Sequence, residues 1–144
     1  MVFKTPKFAV AAALIGVGLL QAPTATAQSY DQLHTWCFGD STDDQTIQGC
    51  DAVIKLDPNN ASAFTARGIA YNAKGQHDRA IQDYDQAIKL DPNYAPAFHN
   101  RGIAYDEKGQ YDRAIQDYDQ AIKLNPNDTY AINNRAAAIA KSNK

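Results

Sequence analysis

The side chains best suited to chemistry in this 144-residue chain are three histidines, two cysteines and several close pairs of aspartates. His34, His77 and His99 could bind a metal, but they show neither the His-x3-His nor the HExxH spacing of zinc sites. Pairs such as Asp83 and Asp85 could bind calcium, but the loop glycine and terminal glutamate of a calcium hand do not accompany them. The sequence therefore predicts no enzyme, no metal site and no cofactor.

The charge balance argues against nucleic acid as a partner. The chain has 14 basic and 16 acidic residues, a formal net charge of -2, and no cluster of lysines and arginines. Nucleic-acid binding requires a basic patch or stripe that neutralises phosphates. The composition is that of an ordinary soluble protein, with 44% apolar and 21% charged residues.

Residues 1–27 are typical of a signal peptide. Lys4 and Lys7 precede an apolar run over residues 8–20, and Ala25-Thr26-Ala27 provides the small residues that signal peptidase requires. The alternative is a retained anchor, although a membrane-spanning helix needs about 20 apolar residues. We expect cleavage after Ala27, giving a periplasmic or secreted protein without stable membrane insertion.

A 34-residue repeat organises the remaining chain. Residues 61–94 and 95–128 align without a gap and are identical at 26 of 34 positions. Residues 28–60 form a degenerate first copy, and residues 129–144 match the opening of a further copy as a closing half repeat or capping helix. The period predicts stacked units that each bury one face against a neighbour.

Each repeat contains the pattern of two helices. Phe64, Gly68 and Tyr71 lie at helical spacing on a first helix, and Gly75 can end it in the left-handed conformation. A second helix is predicted from about Asp78 to Leu90, where the following Asp-Pro-Asn sequence stops it.

This pattern resembles the tetratricopeptide repeat family, in an exported bacterial form. The residues that carry the resemblance are an aromatic at 64/98, Gly at 68/102, Tyr at 71/105, Ala at 80/114, Tyr at 84/118, Ala at 87/121 and Pro at 92/126. The resemblance implies an all-α, right-handed α-solenoid of about 3.5 antiparallel helix pairs, whose first helices line a concave groove that binds peptides or proteins. Arg67 and Arg101 depart from the usual leucine. We expect them to stack on Tyr71, Tyr105 or neighbouring residues and to pair with aspartates of the second helices.

The two cysteines fit the same register. Cys37 lies 34 residues before Tyr71, and Cys50 lies 34 before Tyr84, so a first repeat with this fold would place them on facing helices. Export favours a disulfide, worth about 3 kcal/mol in the chain-entropy model, over two buried free thiols. The bond would support an end repeat in which His34 and Thr46 replace the small packing residues.

The differences between the two clean repeats predict a binding face. Five of the eight fall within one arc of the first helix, turned away from its core stripe. The candidate groove residues are Ser62, Thr65, Ala66, Ile69, Asn72, Ala73, Pro96, His99, Asn100, Ile103, Asp106, Glu107, Tyr130, Asn133 and Asn134. An ordinary solvated face that varies freely is the alternative.

These features predict a non-catalytic scaffold for a protein or peptide. Family members that grip C-terminal carboxylates use Lys, Arg and Asn, whereas the matching positions here hold Thr65, Ile69, Asn100, Tyr130 and Asn134. We therefore expect a different ligand, neutral or basic because of Asp106 and Glu107. The alternatives are a structural solenoid that self-associates weakly and an accessory of an enzyme or metal-handling system.

Overall fold

The computed structural model describes residues 29–144, so the predicted signal peptide lies outside the described residues. This part of the chain folds into seven helices and no strands. The helices are α1 (Tyr30–Phe38), α2 (Asp43–Leu56), α3 (Ala61–Ala73), α4 (His77–Leu90), α5 (Ala95–Glu107), α6 (Tyr111–Leu124) and α7 (Thr129–Ser142). Each packs mainly on its neighbours in sequence, which confirms the predicted all-α helical solenoid. Over residues 29–144, no helix is both long and apolar enough to span a membrane.

Glycine turns join the two helices of each clean repeat. Gly75 and Gly109 both have a φ of 72°, the left-handed conformation predicted for Gly75. The amide of Gln76 donates to the carbonyl of Tyr71 at 2.9 Å, which closes the end of α3 as a Schellman turn does. The next helix then begins at His77, one residue before the predicted start.

A glycine–tyrosine contact sets the spacing within each clean repeat. Tyr84 and Tyr118 are each only 1% exposed, and their rings lie directly on Gly68 and Gly102. A Cβ atom added at Gly102 would lie 2.7 Å from Cε1 of Tyr118. The absence of a side chain at this position therefore lets the large ring fill the space between two antiparallel helices.

The first repeat replaces this contact with the predicted disulfide. Cys37 on α1 and Cys50 on α2 are bonded, with their Cα atoms 4.6 Å apart. Gly49 supplies the close approach, because a Cβ there would lie 2.5 Å from the carbonyl oxygen of Leu33. His34, predicted to replace a packing glycine, is instead exposed, and its ring lies between those of Tyr30 and Phe38 at tilted angles. The small residue thus comes from the second helix rather than the first.

An arginine ladder joins successive repeats. Arg67 donates to Asp83 of its own repeat at 2.8 and 2.6 Å and to Asp51 of the preceding repeat at 2.5 Å. Arg101 repeats this arrangement with Asp117 and Asp85. The predicted pairing with aspartates is therefore confirmed.

Each of these arginines contacts a phenylalanine near the expected tyrosine, Tyr71 or Tyr105, rather than the tyrosine itself. The guanidinium of Arg67 lies 5.4 Å from the ring centre of Phe64, and that of Arg101 lies 5.6 Å from Phe98. Tyr71 and Tyr105 instead receive Arg79 and Arg113 from the second helices. A phenylalanine three residues before an arginine lies on the same helix face, which explains the choice of ring.

Candidate functional site

The first helices of the repeats form the inner layer of the solenoid. Helix α3 contacts α5, and α5 contacts α7, whereas no two second helices of the described chain contact one another. The second helices therefore spread apart on the outer side. The inner surface of α3, α5 and α7 is the candidate site.

The structure places most predicted groove residues on this surface, with different exposure. Ile69 is 47% exposed and Tyr130 is 76% exposed. The other exposed members are Ser62, Ala73, Pro96, Glu107 and Asn133, and the half-buried ones are Ala66, Asn72, His99, Asn100, Ile103, Asp106 and Asn134. Thr65 differs from them, because it is only 4% exposed and its buried Oγ1 has no hydrogen-bond partner in the described structure.

Several of these residues bind one another across repeat junctions. At the first junction, Nδ2 of Asn72 donates to Glu107 Oε2 at 2.6 Å, and Nδ1 of His77 donates to Asn72 Oδ1 at 2.7 Å. At the second junction, Lys141 pairs with Asp106 at 2.5 Å and lies 5.7 Å from the ring centre of Tyr111.

The two junctions use equivalent positions with different chemistry. Asp106 lies 34 residues after Asn72, Lys141 lies 34 after Glu107, and Tyr111 lies 34 after His77. An amide–carboxylate–imidazole set at one junction is therefore replaced by a carboxylate–ammonium–phenol set at the next. The residues at these three positions therefore differ together between the junctions, because their side chains contact one another.

His99 is held in a similar way between α5 and α7. Its Nδ1 lies 3.1 Å from Asp128 Oδ2, and Nδ2 of Asn134 lies 3.2 Å from its Nε2. The ring also meets Tyr118 edge-on at 6.0 Å. Because the carboxylate accepts from Nδ1 and the amide donates to Nε2, this geometry places a ring proton on Nδ1. His99 therefore links α5 to α7 through its two ring nitrogens. Only 16% of its side chain is exposed.

An apolar row runs along the inner surface. Ile69, Ile103 and Ala137 occupy the same position of three successive first helices. Beside this row, a cavity of about 190 Å³ lies between α5 and α7. Its lining residues are Ile103, Asp106, Glu107, Tyr118, Asn134, Ala137 and Lys141. The row and the cavity form an apolar strip with an acidic rim, which we call the groove strip.

The predicted groove residues do not include Lys141 and Tyr118, which also line the cavity. Lys141 lies 34 residues after Glu107, and this register position indicates a place at a repeat junction. Tyr118 is a buried core residue of its repeat, and it also lines the cavity. Burial raises the pKa of Tyr118, and the nearby carboxylates of Asp106 and Glu107 raise it further.

Two larger cavities, of about 440 and 260 Å³, lie at the turns. Their linings correspond at the 34-residue spacing, with Gly109 to Arg113 in one and Gly75 to Arg79 in the other. Because the repeat itself produces them, they indicate no separate site. Among residues 29–144, no three His, Cys, Asp or Glu side chains cluster in a way that could hold a metal ion.

Comparison with solved structures identifies similar helical arrays. The first TPR of Spaghetti (RPAP3), bound to the HSP90 peptide SRMEEVD, is 25% identical, with a TM-score of 0.69 over 71% of this chain and 83% of that one. The second TPR domain of human RPAP3, in complex with the HSP70 peptide SGPTIEEVD, is 27% identical, with a TM-score of 0.69 over 76% and 92%. MamA is 27% identical, with a TM-score of 0.66 over 70% and 55%.

Sequence comparison gives the same assignment. Among curated proteins no significant match was found. Family models match in three overlapping segments: a TPR repeat at residues 70–108 and tetratricopeptide repeats at residues 95–128 and 50–82. Together with the stacked helix pairs, these matches show that the chain belongs to the tetratricopeptide repeat family.

Proposed function

We propose that the protein is a non-catalytic scaffold that binds an extended segment of another protein along the groove strip. The observation that carries the proposal is the apolar row of Ile69, Ile103 and Ala137 beside the cavity between α5 and α7, in which Ile69 and Ala137 are exposed and Ile103 is half-buried. Apolar side chains that remain exposed on an otherwise hydrogen-bonded surface favour binding of a partner.

Peptide binding by similar structures supports this proposal. The two RPAP3 domains hold peptides that end in Glu-Val-Asp. In the present chain, Asn100 donates its amide to the carbonyl of Pro96, and Lys141 is paired with Asp106. These contacts leave the groove strip without a free cation among the described residues to receive a terminal carboxylate.

The rim chemistry favours a neutral or basic segment. Glu107 is exposed, whereas Asp106 is 19% exposed and paired with Lys141. Apolar side chains of the ligand would lie on Ile69 and Ile103. A lysine, an arginine or an amide of the ligand would face the carboxylate of Glu107.

We further propose that the protein acts after export. The disulfide between Cys37 and Cys50 supports this, because such bonds persist in oxidising compartments. Mass spectrometry of the protein recovered from its producing cells tests the expected cleavage after Ala27. A first residue other than Gln28 would contradict it.

A displayed library of short random peptides tests the binding proposal. We expect selected peptides to be apolar with basic residues, and to lose binding to Ile69→Glu and Ala137→Glu variants. Both positions are exposed, so the fold should tolerate a charge there.

Matched controls place the same charge on the outer side, at exposed Gln82 and Gln116, as Gln82→Glu and Gln116→Glu. Equal binding by the groove and outer variants would exclude the groove strip as the site. Selection of peptides with acidic C-termini would contradict the proposed ligand chemistry.

A further inference from the structure

Helix α7 has an outer face that no other helix of the described chain covers. Its positions Ile132, Arg135, Ala136 and Ile139 correspond to Phe98, Arg101, Gly102 and Tyr105 of α5. In α5, this face lies against α6. In α7, Ile132 remains 43% exposed and Ala136 is exposed. We call these four residues of α7 the end face.

Arg135 shows what kind of group the end face lacks. Arg67 and Arg101 each bind two aspartates, one from the preceding second helix and one from the following second helix. Arg135 binds only Asp119, from the preceding helix. Its side chain is 41% exposed, compared with 19% and 20% for the other two. Within the described chain, no carboxylate occupies the second position.

The helices that cover the equivalent faces define the complementary surface. Helices α4 and α6 present the same pattern, Ala-x-x-Asp-Tyr-x-x-Ala, through Ala114, Asp117, Tyr118 and Ala121 in α6. The alanines permit close approach, and the aspartate binds the arginine with both oxygens. A helix able to cover the end face needs the same small residues and the same carboxylate.

One position must differ from α4 and α6. The tyrosine of the pattern lies on glycine, and a Cβ at Gly102 would be 2.7 Å from its ring. Ala136 has that Cβ, so the end face has no room for a tyrosine ring. A shorter apolar side chain, such as leucine, would fit instead.

We propose that the end face docks an amphipathic helix of another protein that presents the pattern Ala-x-x-Asp-Leu-x-x-Ala, with its aspartate on Arg135. This site is separate from the groove strip, because its four residues lie on a different side of α7 from Tyr130, Asn133 and Ala137. Arg135, at the edge of the end face, also binds Asp119 of α6. The apolar residues of the end face would provide the buried contact area, and the ion pair with Arg135 would fix the orientation of the docked helix.

A synthetic peptide derived from α6 tests the proposal. The probe covers residues 111–124 with Tyr118→Leu, and a lactam links positions 112 and 116 after Gln116→Lys, because short helices are marginal in water. Both linked positions are exposed in the protein. We expect saturable binding to the protein by calorimetry, at least about ten-fold tighter than that of the same peptide with Tyr118 retained.

Charge variants on both sides provide the second readout. Replacing Asp117→Asn in the peptide, or Arg135→Gln in the protein, should each weaken binding by about ten-fold or more, with no further loss when both are combined. Because the ion pair of Arg135 with Asp119 is largely solvent-exposed, its loss should change the melting temperature of the protein only slightly.

Three results would overturn the proposal. They are absence of binding by the leucine peptide, equal binding by the leucine and tyrosine peptides, and binding that is insensitive to Arg135→Gln. Dimerisation of the protein itself that is abolished by Ile132→Asp would also overturn it, since a second copy would then be the occupant.

Discussion

Arg101 holds Asp117 with two hydrogen bonds, from Nε at 2.8 Å and from Nη2 at 2.7 Å, in a nearly buried position. The side chain of Asp117 is only 8% exposed, and this burial raises its pKa, which the hydrogen bonds from Arg101 partly counter. The hydrogen bonds from Arg101 therefore favour the charged form of Asp117, which burial disfavours. Since Arg101 also binds Asp85, the same guanidinium joins two repeats.

Arg101→Leu should lower the free energy of unfolding by about 3 kcal/mol at neutral pH, because it leaves a buried carboxylate unpaired. The raised pKa of Asp117 makes this loss pH-dependent. The unfolded carboxyl titrates near pH 4, so the penalty is absent below that pH and grows as pH rises through the folded pKa. Urea denaturation from pH 4 to pH 7 measures this trend. A second variant, Arg101→Leu with Asp117→Leu, should recover most of the loss, and a pH-independent penalty would contradict the argument.

Gly102→Ala should destabilise the protein by about 1–3 kcal/mol although alanine favours helices, because the added Cβ meets the buried ring of Tyr118. Thermal unfolding of Gly102→Ala, Tyr118→Leu and the double variant measures the coupling. The double variant should be more stable than the sum of the single losses predicts. Simple additivity would mean that the ring does not limit the helix spacing.

Reduction of the Cys37–Cys50 bond should lower the melting temperature. The bond closes a loop between residues 13 apart, worth about 3 kcal/mol in the chain-entropy model. Calorimetry with and without reductant measures the change. A Cys37→Ala, Cys50→Ala variant should melt at the lower temperature under both conditions, and equal melting of the native protein in both would remove the stabilising role.

Much of the fold follows from periodicity. The repeat predicts the helix pairs, the glycine turns and the facing cysteines, because each depends on local pattern and on one translation along the sequence. The repeat does not predict the role of Gly49, because this residue lies one position before Cys50 and is not 34 residues from a glycine of the clean repeats. Its role appears only when the backbone of α1 approaches α2.

The candidate site was harder to predict, because spacing along one helix does not report contacts between helices. Thr65 belongs to the variable arc, yet its side chain is buried at a junction. Variation at Asn72 and Asp106 suggested a ligand-facing surface, whereas these residues bind Glu107 and Lys141 of the next repeat. Positions that differ between the repeats therefore include residues that contact the next repeat as well as exposed residues.

Stability should fall steeply above about pH 10. Burial raises the pKa of Tyr84 and of Tyr118 above the ordinary value near 10, so the unfolded chain loses these protons before the folded chain does. The folded state is then favoured below pH 10 and loses up to about 1.4 kcal/mol per pH unit for each tyrosine above it. Phenolate absorbance and circular dichroism measure ionisation and unfolding together. Tyr118→Phe should make the loss shallower, and ionisation of every tyrosine before unfolding would contradict burial.

We expect the first repeat junction to tolerate the three residues of the second junction only when all three are introduced together. Glu107→Lys alone removes the carboxylate that binds Asn72 and lies 3.3 Å from His77, and it should cost about 1 kcal/mol. The triple variant Asn72→Asp, His77→Tyr and Glu107→Lys recreates the contacts of Asp106, Tyr111 and Lys141, and should return to within about 0.5 kcal/mol of the native protein. Urea denaturation of the single, double and triple variants measures the coupling. If the three changes were additive, the junction residues would vary independently, and the variable face would again be best explained by exposure alone.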